Sequence, residues 1–86
     1  MDNIKDKVKA WKATADIFFE KGIRIFIKDL TGNIYMGNIV YVGEVTLTID
    51  CFAPPKREGK RYVLYWTLMD DFREYKEREV HNDNCS

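Results

Sequence analysis

The sequence predicts a mainly β chain: one amphipathic helix in front of a small, strongly bent antiparallel barrel. Three observations carry that expectation. Apolar residues recur at a helical period only near the N-terminus. From Ile23 onward the period drops to two in several short runs. A glycine, Gly37, interrupts the longest of those runs, where a missing side chain permits a sharp bend. A sheet this short and bent covers its core by curling over it. The length of 86 residues allows one domain, which buries only about 60 to 65% of its extended surface, so self-association would help it. Hydrophobic residues at 45% and aromatics at 14% nonetheless place it among folded chains.

Ile4, Val8, Trp11, Ala15 and Phe18 step by four and three and form one helical stripe, with Asp2 or Asn3 as cap and Gly22 as stop. Lys5, Lys7, Lys9 and Lys12 fall mostly on the wetted side. A first strand follows in which Ile23, Ile25 and Ile27 alternate with Arg24, Phe26 and Lys28. Residues 29–33 hold turn formers, with Gly32 or Asn33 able to take a positive φ. The second strand is expected over Ile34–Val42, and Gly43 with Glu44 forms the next turn. Val45, Leu47, Ile49 and Cys51 then present an apolar face opposite Thr46, Thr48 and Asp50. Residues 52–60, with two prolines and a glycine, read as an exposed connection before a fourth strand over 61–66. Residues 67–76 support two readings. One is a helix opened by Asp70 and Asp71, with Leu68, Phe72 and Tyr75 at helical spacing and Glu74 paired to Arg78. The other is a single helical turn at 68–71 and a short fifth strand over 72–76. Residues 79–86 read as a polar, frayed tail, which leaves the helix over 1–20 and the barrel over 21–78.

The run Gly32-Asn33-Ile34-Tyr35-Met36-Gly37-Asn38-Ile39 resembles the first Sm motif of the Sm and Sm-like proteins. It has two glycines five apart and apolar residues two before and two after the second. The upstream isoleucines, Leu47 and Ile49 fit strands one and three of that motif, and the resemblance covers about residues 21–75. It implies a helix capping a five-stranded bent barrel of the SH3-like kind, whose fourth and fifth strands pair between subunits to close a homo-oligomeric ring. In typical members the ring pore binds uridine-rich RNA through an Asp and an Asn after strand two and an Arg-Gly pair in the second motif. Here the Asp position falls on Gly43, the Asn on Thr46 or Leu47, and the Arg-Gly pair near Trp66 and Thr67. An indole keeps base stacking, worth about 1 to 3 kcal/mol per base, but loses the bidentate contact of arginine. Leu30 also lengthens the first hairpin.

Fourteen Lys and Arg balance fourteen Asp and Glu, so any nucleic-acid contact must be local. The best local case is Lys56, Arg57, Lys60 and Arg61 beside Tyr62, Tyr65 and Trp66, where charge meets stacking surfaces; Thr46 joins them through the resemblance. The competing reading is a solvated charged loop. Trp11, on the apolar stripe, reads as a packing residue. Asp70, Asp71 and Glu74 have no nucleophile beside them and read as helix-start charges. His81 sits in the polar tail, and Cys51, His81 and Cys85 lack zinc-site spacing. Neither a catalytic residue nor a metal or cofactor site is expected. Two cysteines and the lack of a long apolar run point to a reducing, cytoplasmic setting without a membrane partner. The leading expectation is a noncatalytic ring whose partners are copies of itself and single-stranded RNA. The alternative is an Sm-fold scaffold that oligomerises without RNA. A peptide-binding barrel of SH3 or Tudor type ranks third and an enzyme last.

Overall fold

The computed structural model describes residues 3–76. Helix α1 spans Asn3–Lys21. Val8, Trp11, Ala15 and Phe18 of the expected stripe face the core, Ala15 with no exposure. Gly22 ends the helix at φ +67°. Its N–H donates to Phe19 O and the Ile23 N–H to Phe18 O, the paired bonds of a Schellman turn.

Five strands follow: β1 (Arg24–Asp29), β2 (Ile34–Val42), β3 (Thr46–Ala53), β4 (Arg61–Tyr65) and β5 (Met69–Glu74). Short 3₁₀ turns at Pro55–Arg57 and Trp66–Leu68 precede β4 and β5. All pairings are antiparallel, in the order β4-β3-β2-β1-β5. The expected cylinder is therefore bent but not closed by hydrogen bonds. Strands β4 and β5 are the two borders of the sheet, and among the described residues nothing pairs with their outer sides.

At Gly37 strand β2 lies against the backbone of β3. A Cβ there would collide with the Asp50 carbonyl and stand 2.8 Å from the Cα of Cys51, and the β2–β3 register shifts between Met36 and Gly37. Only glycine lets the two backbones approach this closely. In the first hairpin Gly32, not Asn33, takes the positive φ. Ile25, Ile27, Leu47 and Ile49 fill the concave face, with Trp66 and Phe72 beneath the helix.

Four expectations are corrected. Val45 is exposed in the turn, and β3 begins at Thr46 and runs on through Phe52 and Ala53. The fourth strand stops at Tyr65, since Trp66 turns into the 3₁₀ segment. Of the two readings of residues 67–76 the second forms, a helical turn and then a fifth strand, but earlier than expected: the turn is Trp66–Leu68 and the strand Met69–Glu74. Here β5 slips against β1, Lys28 facing Asp71 while Asp29 faces Met69, so Asp70 is an extra residue. This bulge brings Met69 and Phe72, three apart, to the same buried side, while Leu68, which the helical spacing counted, is exposed. Asp70 and Asp71 are strand residues: Asp70 lies 3.9 Å from Lys28 and Asp71 3.4 Å from Arg73. The expected tail, with Arg78, His81 and Cys85, lies outside the described residues.

Candidate nucleic-acid interface

The sequence-derived set divides between opposite ends of β4. Arg61 opens the strand and Tyr65 closes it, about 13 Å apart at roughly 3.3 Å per residue. Lys56, Arg57, Lys60 and Arg61 gather at the first end. Thr46 faces Tyr65 across the β3–β4 ladder at the second, with Trp66 next in the chain.

At the first end two of the four cations are occupied by the fold. Arg57 Nε donates to Ile34 O at 2.8 Å, and its guanidinium lies 4.2 Å from the Tyr35 ring centre and 5.3 Å from that of Tyr62. Arg57 thus ties the 3₁₀ turn to β2. Arg61 grips Asp50 through Nε at 2.6 Å and Nη2 at 3.0 Å, and these hydrogen bonds hold the Asp50 carboxyl below the usual carboxylate range. Lys56 and Lys60 remain exposed, without an ion pair among the described residues.

At the second end the β2–β3 and β4–β5 turns interlock. The Trp66 N–H donates to Val45 O at 3.1 Å, its indole Nε1 to Gly43 O at 2.9 Å, and Gly43 N–H to Thr46 O at 2.9 Å. Trp66 is only 1% exposed and packs edge-on against Phe72. It pins the two turns and has no free face for a base, which removes it from the stacking set. Tyr65, at 51% exposure, keeps its ring available. Positions 43, 46, 66 and 67, where the Sm resemblance puts the RNA-contacting residues, do gather at this end, with different chemistry.

Helix α1 adds cations here. Lys5, Lys9 and Lys12 line a shallow groove with Val8 and Thr67, and Lys12 reaches Glu44 of the β2–β3 turn at 3.0 Å. Lys5 and Lys9 are exposed, with no ion pair among the described residues. A third surface was not singled out from sequence. On the outer side of the sheet Arg24 sits 5.1 Å from the Phe52 ring centre and 5.7 Å from that of Tyr75, and Arg73 lies 4.7 Å from that of Phe26. The period-two alternation of β1 already put Arg24, Phe26 and Lys28 on one face; their partners on β3 and β5 come only from the pairing.

Among the described residues no three His, Cys, Asp or Glu side chains converge as metal ligands. Burial pushes the Cys51 thiol up, away from the reactive thiolate. No helix among them is long and apolar enough to cross a membrane.

No protein-family model matches the sequence, and no curated protein sequence matches it. Solved structures do. The crystal structure of the pleiotropic translational regulator Hfq aligns with 83% of this chain and 98% of its own, at TM-score 0.60 and 17% identity. The chain has an Sm-like fold. At that identity the likeness extends to architecture, helix before five bent antiparallel strands, and to nothing finer.

Proposed function

We propose that this chain is a noncatalytic Sm-type protein that assembles into a homo-oligomeric ring through β4 and β5 and binds single-stranded RNA. The observation that carries the reading is the Sm-like sheet left open at both borders. A domain of this size gains most by pairing those borders with copies of itself. RNA binding is supported by the groove that exposed Lys5 and Lys9 share with Thr67, cations for phosphate, and by the exposed ring of Tyr65, which stands two residues before Thr67 and lines a separate pocket with Val63 and Leu68. Lys56 and Lys60 form a second, separate basic spot.

The test has two arms. Light scattering of the purified chain should give a defined mass several times that of one copy; a monodisperse monomer refutes the ring. Labelled single-stranded RNA titrated at two salt concentrations should bind more weakly at the higher one. Lys5→Glu with Lys9→Glu should lower affinity at least about tenfold and flatten the salt dependence, more than Lys56→Glu with Lys60→Glu does. The scaffold reading draws on the replaced pore residues, Gly43, Thr46 and Trp66, and on the internal engagement of Arg57 and Arg61. It prevails if the oligomer forms and RNA does not bind even at low salt.

A further inference from the structure

Resting on the oligomer proposed above, we infer that its seam has one register, fixed by an ion pair between Arg61 and Glu74 of the partner subunit. The hydrogen bond from Trp66 N–H to Val45 O sets the phase of β4: even-numbered residues turn their backbone groups to β3, and Arg61, Val63 and Tyr65 turn theirs outward. On β5 the bond from Tyr75 N–H to Arg24 O sets the opposite phase. From Asp71 to Tyr75 the odd-numbered residues face β1, while Phe72 and Glu74 turn their backbone groups outward. Directly opposed residues in an antiparallel ladder turn their backbone groups either both toward or both away from each other, so outward residues of β4 meet outward residues of β5.

Two registers satisfy that rule for Val63, because the bulge at Asp70 breaks the phase before Asp71. Setting Val63 against Glu74 of the partner subunit brings Arg61 opposite the partner subunit's Lys76, a like-charge contact. Setting Val63 against the partner subunit's Phe72 overlaps the strands most fully and places Arg61 opposite Glu74 of the partner subunit. Charge complementarity selects the second. Asp50 engages Nε and Nη2 of Arg61, which leaves the Nη1 donors for a second carboxylate. Glu74 is exposed and has no ion pair among the described residues. The same register covers Val63, otherwise 59% exposed.

Charge reversal tests the seam. Glu74→Lys lies at the exposed end of β5 and leaves the core untouched. Asp50→Arg with Arg61→Glu reverses the seam charge while preserving the pair within the chain. Each change should raise the oligomer's dissociation constant about threefold to tenfold at low salt, less at high salt, and the triple variant should restore assembly. Sedimentation across a dilution series reads this, with circular dichroism confirming the fold of each variant. If wild type is oligomeric and Glu74→Lys matches it, or the triple variant fails to recover, the register is wrong while the oligomer stands. If wild type is a monomer at every concentration, both fall.

Discussion

Asp29 shows how much one side chain can arrange. Its Oδ1 accepts hydrogen bonds from the Thr31 N–H, the Thr31 hydroxyl and the Asn33 N–H at 2.8 to 3.0 Å, and its Oδ2 accepts from the Asn33 amide at 3.1 Å. Burial pushes this carboxyl up, but the hydrogen bonds together outweigh it and hold it below its ordinary value of 3.8. A carboxyl depressed in the folded chain stabilises it fully above the ordinary value and loses that contribution as pH falls through the lower, folded one. Asp29→Asn should therefore flatten the fall in stability below about pH 4 relative to wild type, as read by urea unfolding at a series of acidic pH values. Gly37 acts by absence. Gly37→Ala drives a methyl group into the Asp50 carbonyl, and at least about 3 kcal/mol of stability should be lost, visible as a lower Tm. Gly37 was legible as a bend because a glycine inside an apolar strand gives up packing surface, a loss that a bend or a close backbone approach offsets. Trp66 was not: the acceptor for its indole, Gly43 O, lies 23 positions away, and no local pattern announces it.

Among the elements, α1 and β2 were legible, and β2 was delimited to the residue because Asn33 before it and Gly43 after it are both turn formers. β5 was ambiguous for a physical reason. Its bulge at Asp70 sets Met69 and Phe72 on the same side, and a sequence carries no mark of an unpaired residue in a ladder. The RNA candidates suffered from the same blindness to pairing. Residues 56–61 and Tyr65 are close in sequence, but an extended strand drives them apart, while Lys5 and Thr67, distant in sequence, share a groove. The docking of α1 follows from its stripe and is testable. Trp11 meets Phe72 edge-on with ring centres 6.3 Å apart, and Phe18 meets the same ring at 5.9 Å. Trp11→Ala should cost about 2 to 3 kcal/mol, toward the lower end of core aromatic truncations because the ring is only half-buried, as measured by urea denaturation.

For the whole molecule, stability and assembly are linked. If the borders pair between copies, folding is coupled to concentration by mass action, and Tm should climb steadily over a hundredfold increase in protein. A Tm independent of concentration would mean that the monomer carries its own stability. Because β4 and β5 border the same bent sheet but are different surfaces, every copy would, in the proposed assembly, be at once plug and socket. Such a chain stops growing only when the angle turned at each joint divides a full circle; otherwise it elongates into a fibre. The close approach of β2 and β3 at Gly37 would bear on that angle, so a single hydrogen atom in place of a side chain would bear on whether the proposed assembly has a countable number of members or no natural end.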